Sequence, residues 1–155
     1  MKQINKYIVE RLHINKDTGN SHYNYHPKTK NELEELVYKL IKERGNDADL
    51  NDIDTSKITD MSALFYDSNF NGDISKWNVS NVKYMAGMFW DSSFTGKNGD
   101  ISNWNVSNVE YMSFMFKHSK FNGDISKWDV SNVKDMGEMF NESPLEKNPP
   151  KWYKN

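Results

Sequence analysis

Asp73-Ile-Ser-Lys-Trp-Asn-Val-Ser-Asn-Val-Lys-Tyr-Met-Ala-Gly-Met-Phe89 decides how the rest of the chain is read, because the chain says it again. Asp100-Ile-Ser-Asn-Trp-Asn-Val-Ser-Asn-Val-Glu-Tyr-Met-Ser-Phe-Met-Phe116 repeats it. So does Asp124-Ile-Ser-Lys-Trp-Asp-Val-Ser-Asn-Val-Lys-Asp-Met-Gly-Glu-Met-Phe140, and a worn copy spans Asp49 to Phe65. The copies begin at 49, 73, 100 and 124, so the steps are 24, 27 and 24 residues. The long step carries three extra residues around Gly96-Lys97-Asn98. A fixed period in the twenties is the signature of stacked repeats.

Each slot has a physical reading. Val79, Val82, Met85, Met88 and Phe89 fall three and four apart, which predicts a short helix from about Ser80 with these residues inward. Ser80, Ser107 and Ser131 stand where its N-cap is wanted, with Thr55-Ser56 in the worn copy. Phe70, Phe94 and Phe121 lead into an Asp-Ile-Ser segment short enough for one rung of a parallel sheet. Trp77, Trp104 and Trp128 share one register and should form a column, with Ile53 at their place in the first copy. The predicted architecture is α/β: a short right-handed solenoid of about four 24-residue repeats with a parallel sheet.

Outside the repeats, residues 7–14 and 21–26 read as a β-hairpin turning at Lys16–Asn20. Thr29-Lys-Asn-Glu32 has capping-box spacing. Leu33, Leu36, Val37, Leu40 and Ile41 form one helical face, and Gly45 fits a C-terminal cap. The organisation expected is a hairpin-helix cap over 1–48 and repeats over 49–72, 73–99, 100–123 and 124–143. A degraded fifth repeat over 144–155 ends the array. In it Pro149-Pro150 replaces the strand's Ile-Ser, and proline blunts an open sheet edge.

Composition narrows the function. The 155 residues include no cysteine, which excludes disulfides and Cys-based metal or nucleophile sites. No apolar run resembles a signal peptide or a membrane span, so a cytoplasmic location is expected. Residues 49–143 hold 14 acidic and 8 basic groups. An acidic array is a poor partner for nucleic acid, whose phosphates need clustered Lys and Arg.

The unit resembles the DUF285 family, also called BspA-like leucine-rich-repeat surface proteins, whose hallmark is F-N-x-D-I-S-x-W-D-V-S-x-V-x-x-M-x-x-M-F. Residues 121–140 match it through every fixed slot. The resemblance implies a leucine-rich-repeat-like fold and no catalytic motif. Family members occur in bacteria, mycoplasmas and mobile elements, many as surface proteins suspected of adhesion. A short chain without a leader fits an intracellular binder of the kind phages and other mobile elements carry.

Catalytic and metal chemistry find little support in the residues. Asp47–Asp52 resembles the start of an EF-hand loop, but Asp52 stands where Gly is needed and Ile58 where a bidentate Glu is needed. His13, His22 and His26 have no fixed ligand spacing. Asp73, Asp100 and Asp124 recur in one slot, which suits a carboxylate accepting backbone N–H groups at a turn. No catalytic, metal or cofactor site is expected.

The slots that vary are the candidates for function: Asp60, Tyr84, Tyr111, Asp135; Ala63, Gly87, Phe114, Glu138; and Tyr66, Trp90, Lys117, Asn141. Placed between inward residues, they should face outward and gather Tyr66, Tyr84, Trp90, Tyr111 and Phe114 into a protein-binding surface. The expected activity is non-enzymatic protein–protein binding, with no nucleic acid and no membrane as partner. A surface adhesion module is the alternative, and a small enzyme or metal protein using the N-terminal hairpin is the third reading.

Overall fold

A computed structural model describes residues 22–154. The first hairpin strand and its turn lie outside the described residues. Among those described there is one helix, α1 (Lys30–Arg44). Thr29 caps it, its hydroxyl accepting from the Glu32 N–H at 3.2 Å, and the Glu32 carboxylate accepts from the Lys28 N–H at 2.7 Å. At the far end the Gly45 N–H donates to the Ile41 carbonyl. Leu33, Leu36, Val37 and Leu40 bury the inner face. Lys30 reaches Ser62 and Asp60, while Arg44 grips Asp52 with both guanidinium nitrogens at 2.9 Å and donates to the Asp49 carbonyl. The helix is thus fastened at both ends to the first repeat.

The repeats correct the expected α/β solenoid. Among the described residues there is no parallel sheet, and no helix stands at Ser80, Ser107 or Ser131. Five isolated parallel bridges stand in for strands among the described residues, three of them linking Asp60, Tyr84, Tyr111 and Asp135 in series. With no sheet, there are no crossovers to which a hand applies. What stacks instead is a set of irregular coils built from linked turns.

Local side chains explain the loss of both elements. The Asn78 side-chain oxygen accepts the Ser80 N–H at 3.0 Å, and Asn105–Ser107 and Asp129–Ser131 do the same. Asp73, Asp100 and Asp124 accept the N–H of Ser75, Ser102 and Ser126 at 2.8–2.9 Å. Asx turns of this kind compete with helix starts and strand ladders for the same donors.

In the Met–Phe segment the backbone alternates between two uses of its donors. Met61, Ala63, Phe65 and Asp67 donate to the carbonyls of Tyr84, Ala86, Met88 and Trp90 in the next coil. The residues between them close local turns: Leu64 to Met61, Tyr66 to Ala63, Ser68 to Phe65. Two of every three such turns carry a left-handed residue at their third position. One slot is Ala63, Gly87, Phe114 and Glu138 (φ 52–60°), the other Asp67, Asp91, His118 and Glu142 (φ 49–54°). Positive φ there defines a type II turn and is incompatible with α-helix. Overlapping turns also return side chains to one side every three or four residues, which is why the apolar spacing resembles a helix.

The core is built of columns. Phe65, Phe89, Phe116 and Phe140 stack with ring centroids 5.5–5.9 Å apart and planes within 3°. Phe70, Phe94 and Phe121 form a second column alongside, 4.3–4.8 Å from the first. Trp104, Trp128 and Trp152 form a third. The indole N–H groups of Trp77, Trp104, Trp128 and Trp152 donate to the carbonyls of Leu50, Ile74, Ile101 and Ile125. The amides of Asn81, Asn108 and Asn132 add another ladder, to Ser56, Ser80 and Ser107. Apolar burial and satisfied polar groups therefore repeat together.

Candidate functional site

The five aromatic residues proposed as a surface fall into two stacks. Tyr66 meets Trp90 edge to face at 5.4 Å, and Trp90 stacks on Phe114 at 5.5 Å. Tyr84 and Tyr111 stack separately at 5.3 Å with planes 6° apart. Their placement follows from the coil spacing, which puts equal slots of successive coils at ring-stacking distance. Tyr66 is 51% exposed and Tyr84 44%, while Trp90, Tyr111 and Phe114 are half-buried. The loop at Gly96–Asn98 goes elsewhere: Asn98 donates to the Asn71 carbonyl, and Gly96 lies beside Phe121.

Two features of the first stack set it apart from the scaffold aromatics. Lys117, which shares the slot of Tyr66 and Trp90, holds its ammonium 5.6 Å from the Trp90 ring centre and 5.2 Å from that of Phe114. Glu138 accepts from the same ammonium. The second feature is the Trp90 indole N–H, which is buried without an acceptor. Every tryptophan of the column has one. A buried donor left unpaired costs on the order of 1–3 kcal/mol, so the fold gains less from Trp90 than from the column residues.

Charges frame both stacks. Beside the tyrosines, Glu110 pairs with Lys83 and Lys134, and the Lys134 hydrogen bond holds its carboxyl below the usual range. Beside the first stack runs the slot Asp67, Asp91, His118, Glu142. His118 lies 3.1 Å from Asp91 and 3.5 Å from Glu142. This slot is not among the varying slots taken as candidates, and Lys117, which stands in one of them, is not among the five residues expected to form the surface. The signal was available, since Asp67 and Asp91 directly follow Tyr66 and Trp90.

The other candidates resolve into structural roles. A cavity of about 960 Å³ opens where α1 meets the first coil, lined in part by His22, His26, Arg44, Asp52 and Asp54. Its acids are engaged. Asp49 accepts the Asn51 N–H, Asp52 binds Arg44 and Asn24, and Asp54 takes Ser56 and lies 3.2 Å from His26. Among the described residues no group of three His, Asp or Glu is placed to hold a metal ion. His13 lies outside them. No helix among the described residues is long and apolar enough to cross a membrane.

No curated protein and no solved structure matches the chain. One family model does, over residues 31–152, and its span takes in α1 from its second residue, all four coils and Trp152. By that match the chain belongs to the DUF285 family, described as Mycoplasma protein of unknown function.

Proposed function

We propose that this chain is a non-enzymatic binding protein whose coils present the ridge Tyr66–Trp90–Phe114, with Tyr84–Tyr111 nearby in sequence, to a protein partner. The observation that carries the reading is the contrast between the two sets of aromatics. The column tryptophans and phenylalanines are buried, apart from the part-buried Trp152 at the end of the array, and the indole N–H groups are paired. The ridge rings are part-exposed, and Trp90 has no acceptor. Rigid aromatics with polar or charged neighbours are the residue types that dominate protein interfaces.

The test is affinity capture from the native host with the wild-type chain and with Tyr66→Ala/Trp90→Ala, both checked for folding by circular dichroism. The reading expects a partner enriched on wild type and lost on the variant. Equal capture by the two would overturn it.

A further inference from the structure

Resting on the ridge reading, we propose that the partner is a polypeptide segment rich in Lys or Arg, whose cations seat against the Tyr66–Trp90 rings and the carboxylates beside them. The charge pattern points there. Positions 60–67, 83–91, 110–118 and 134–142 carry seven carboxylates and three lysines. All three lysines are already bound within the chain: Lys83 and Lys134 to Glu110, Lys117 to Glu138. Asp67 makes no ion pair with any described residue, and the Glu142 side chain is 72% exposed and, among the described residues, ion-paired with His118 alone.

Lys117 shows how a cation is held on this ridge. Its ammonium lies near the Trp90 and Phe114 rings and is tied by a carboxylate one coil on. That is the combination by which aromatic surfaces take cations. One coil before Trp90 its slot holds Tyr66, which Asp67 directly follows in the chain, and no cation of the described residues lies over Tyr66. An incoming Arg or Lys would meet there a ring and a carboxylate, the two kinds of group that hold Lys117, though from different slots. The same acidic frame repels phosphate, so nucleic acid and anionic lipid are disfavoured on this face.

The test uses three labelled ten-residue peptides alternating Leu with Arg, Leu with Glu and Leu with Gln, titrated against the whole chain by fluorescence anisotropy. Two charge-matched variants go with them: Asp67→Asn/Glu142→Gln on the ridge, and Glu35→Gln/Glu146→Gln elsewhere on the surface. The inference expects binding of the Leu-Arg peptide alone, weakened about fivefold by the ridge variant and unchanged by the remote one. Equal weakening by both variants would mean unspecific attraction and would overturn it, as would preference for the Leu-Glu or Leu-Gln peptide. Host-partner capture lost on Tyr66→Ala/Trp90→Ala but kept on Asp67→Asn/Glu142→Gln would overturn the charge inference alone and leave the ridge reading standing.

Discussion

The indole N–H of Trp128 donates to the carbonyl of Ile101, one coil earlier, at 3.1 Å. The bond joins coils that also share a tryptophan stack, so one residue supplies packing and polar satisfaction across the same junction. Trp128→Phe keeps most of the ring and removes this donor, leaving the Ile101 carbonyl with the Trp104 N–H alone. Stability should fall by about 0.5–1.5 kcal/mol for the lost bond, read from the midpoint of urea unfolding.

Gly72 marks the closest approach of two coils. A methyl group there would meet the Ala48 carbonyl oxygen at 2.0 Å, a backbone atom that cannot turn aside. Gly72→Ala should therefore destabilise by about 1–3 kcal/mol or more through overpacking. Gly45→Ala meets nothing within 4 Å, and its cost comes only from φ +91°. The same unfolding curves separate the two.

Ala63 sits at φ 56° in a turn, where an L residue pays a left-handed penalty that glycine escapes. Ala63→Gly should stabilise by up to about 1 kcal/mol. In a helix the same change would destabilise by about as much. The sign of the shift in thermal midpoint therefore distinguishes linked turns from the short helix that the Met-x-x-Met-Phe spacing suggests.

Acid should loosen the stack. For Asp73, Asp52 and Asp54, partial burial pushes the carboxyls up, and hydrogen bonds outweigh it to leave all three below the ordinary 3.8. The donors are chiefly Ser75, Arg44 with Asn24, and Ser56 with His26. Folded values below unfolded ones mean a contribution fully present above the unfolded value and lost as pH falls through the folded one. The thermal midpoint should be level from about pH 5 upward as far as these groups are concerned, and should drop below about pH 4. Asp52→Asn should lower the plateau and shallow the acid limb, since one of the three carboxylates is gone.

How much of this was legible in the sequence depends on how local each cause is. Thr29, Glu32 and Gly45 mark the ends of α1 by rules that act within one turn, and the helix runs between them. The tryptophan and phenylalanine columns follow from identical residues recurring in one register. The interior of the repeat was misread because linked type II turns mimic the three-and-four spacing of a helix. Gly87 in the left-handed slot, and the Asn78–Ser80 pair repeated as Asn105–Ser107, were the available warnings. At the site, Tyr66, Trp90 and Phe114 come together as their slots suggest. The separation of Tyr84–Tyr111 and the insertion of Lys117 over two rings depend on side-chain directions that slot position does not fix.

The central claim is that residues common to every repeat hold the stack while Trp90, which departs from its own copies, serves a partner. Measuring partner affinity and thermal midpoint together on Trp90→Ala and Trp128→Ala tests it most directly, with affinity read at a temperature where both variants are folded. The account predicts that Trp90→Ala loses at least tenfold in affinity with the smaller fall in midpoint. Trp128→Ala, which empties a buried column position, should show the larger fall in midpoint and near-wild-type affinity. The reverse pattern, with affinity following Trp128 and stability following Trp90, would contradict it.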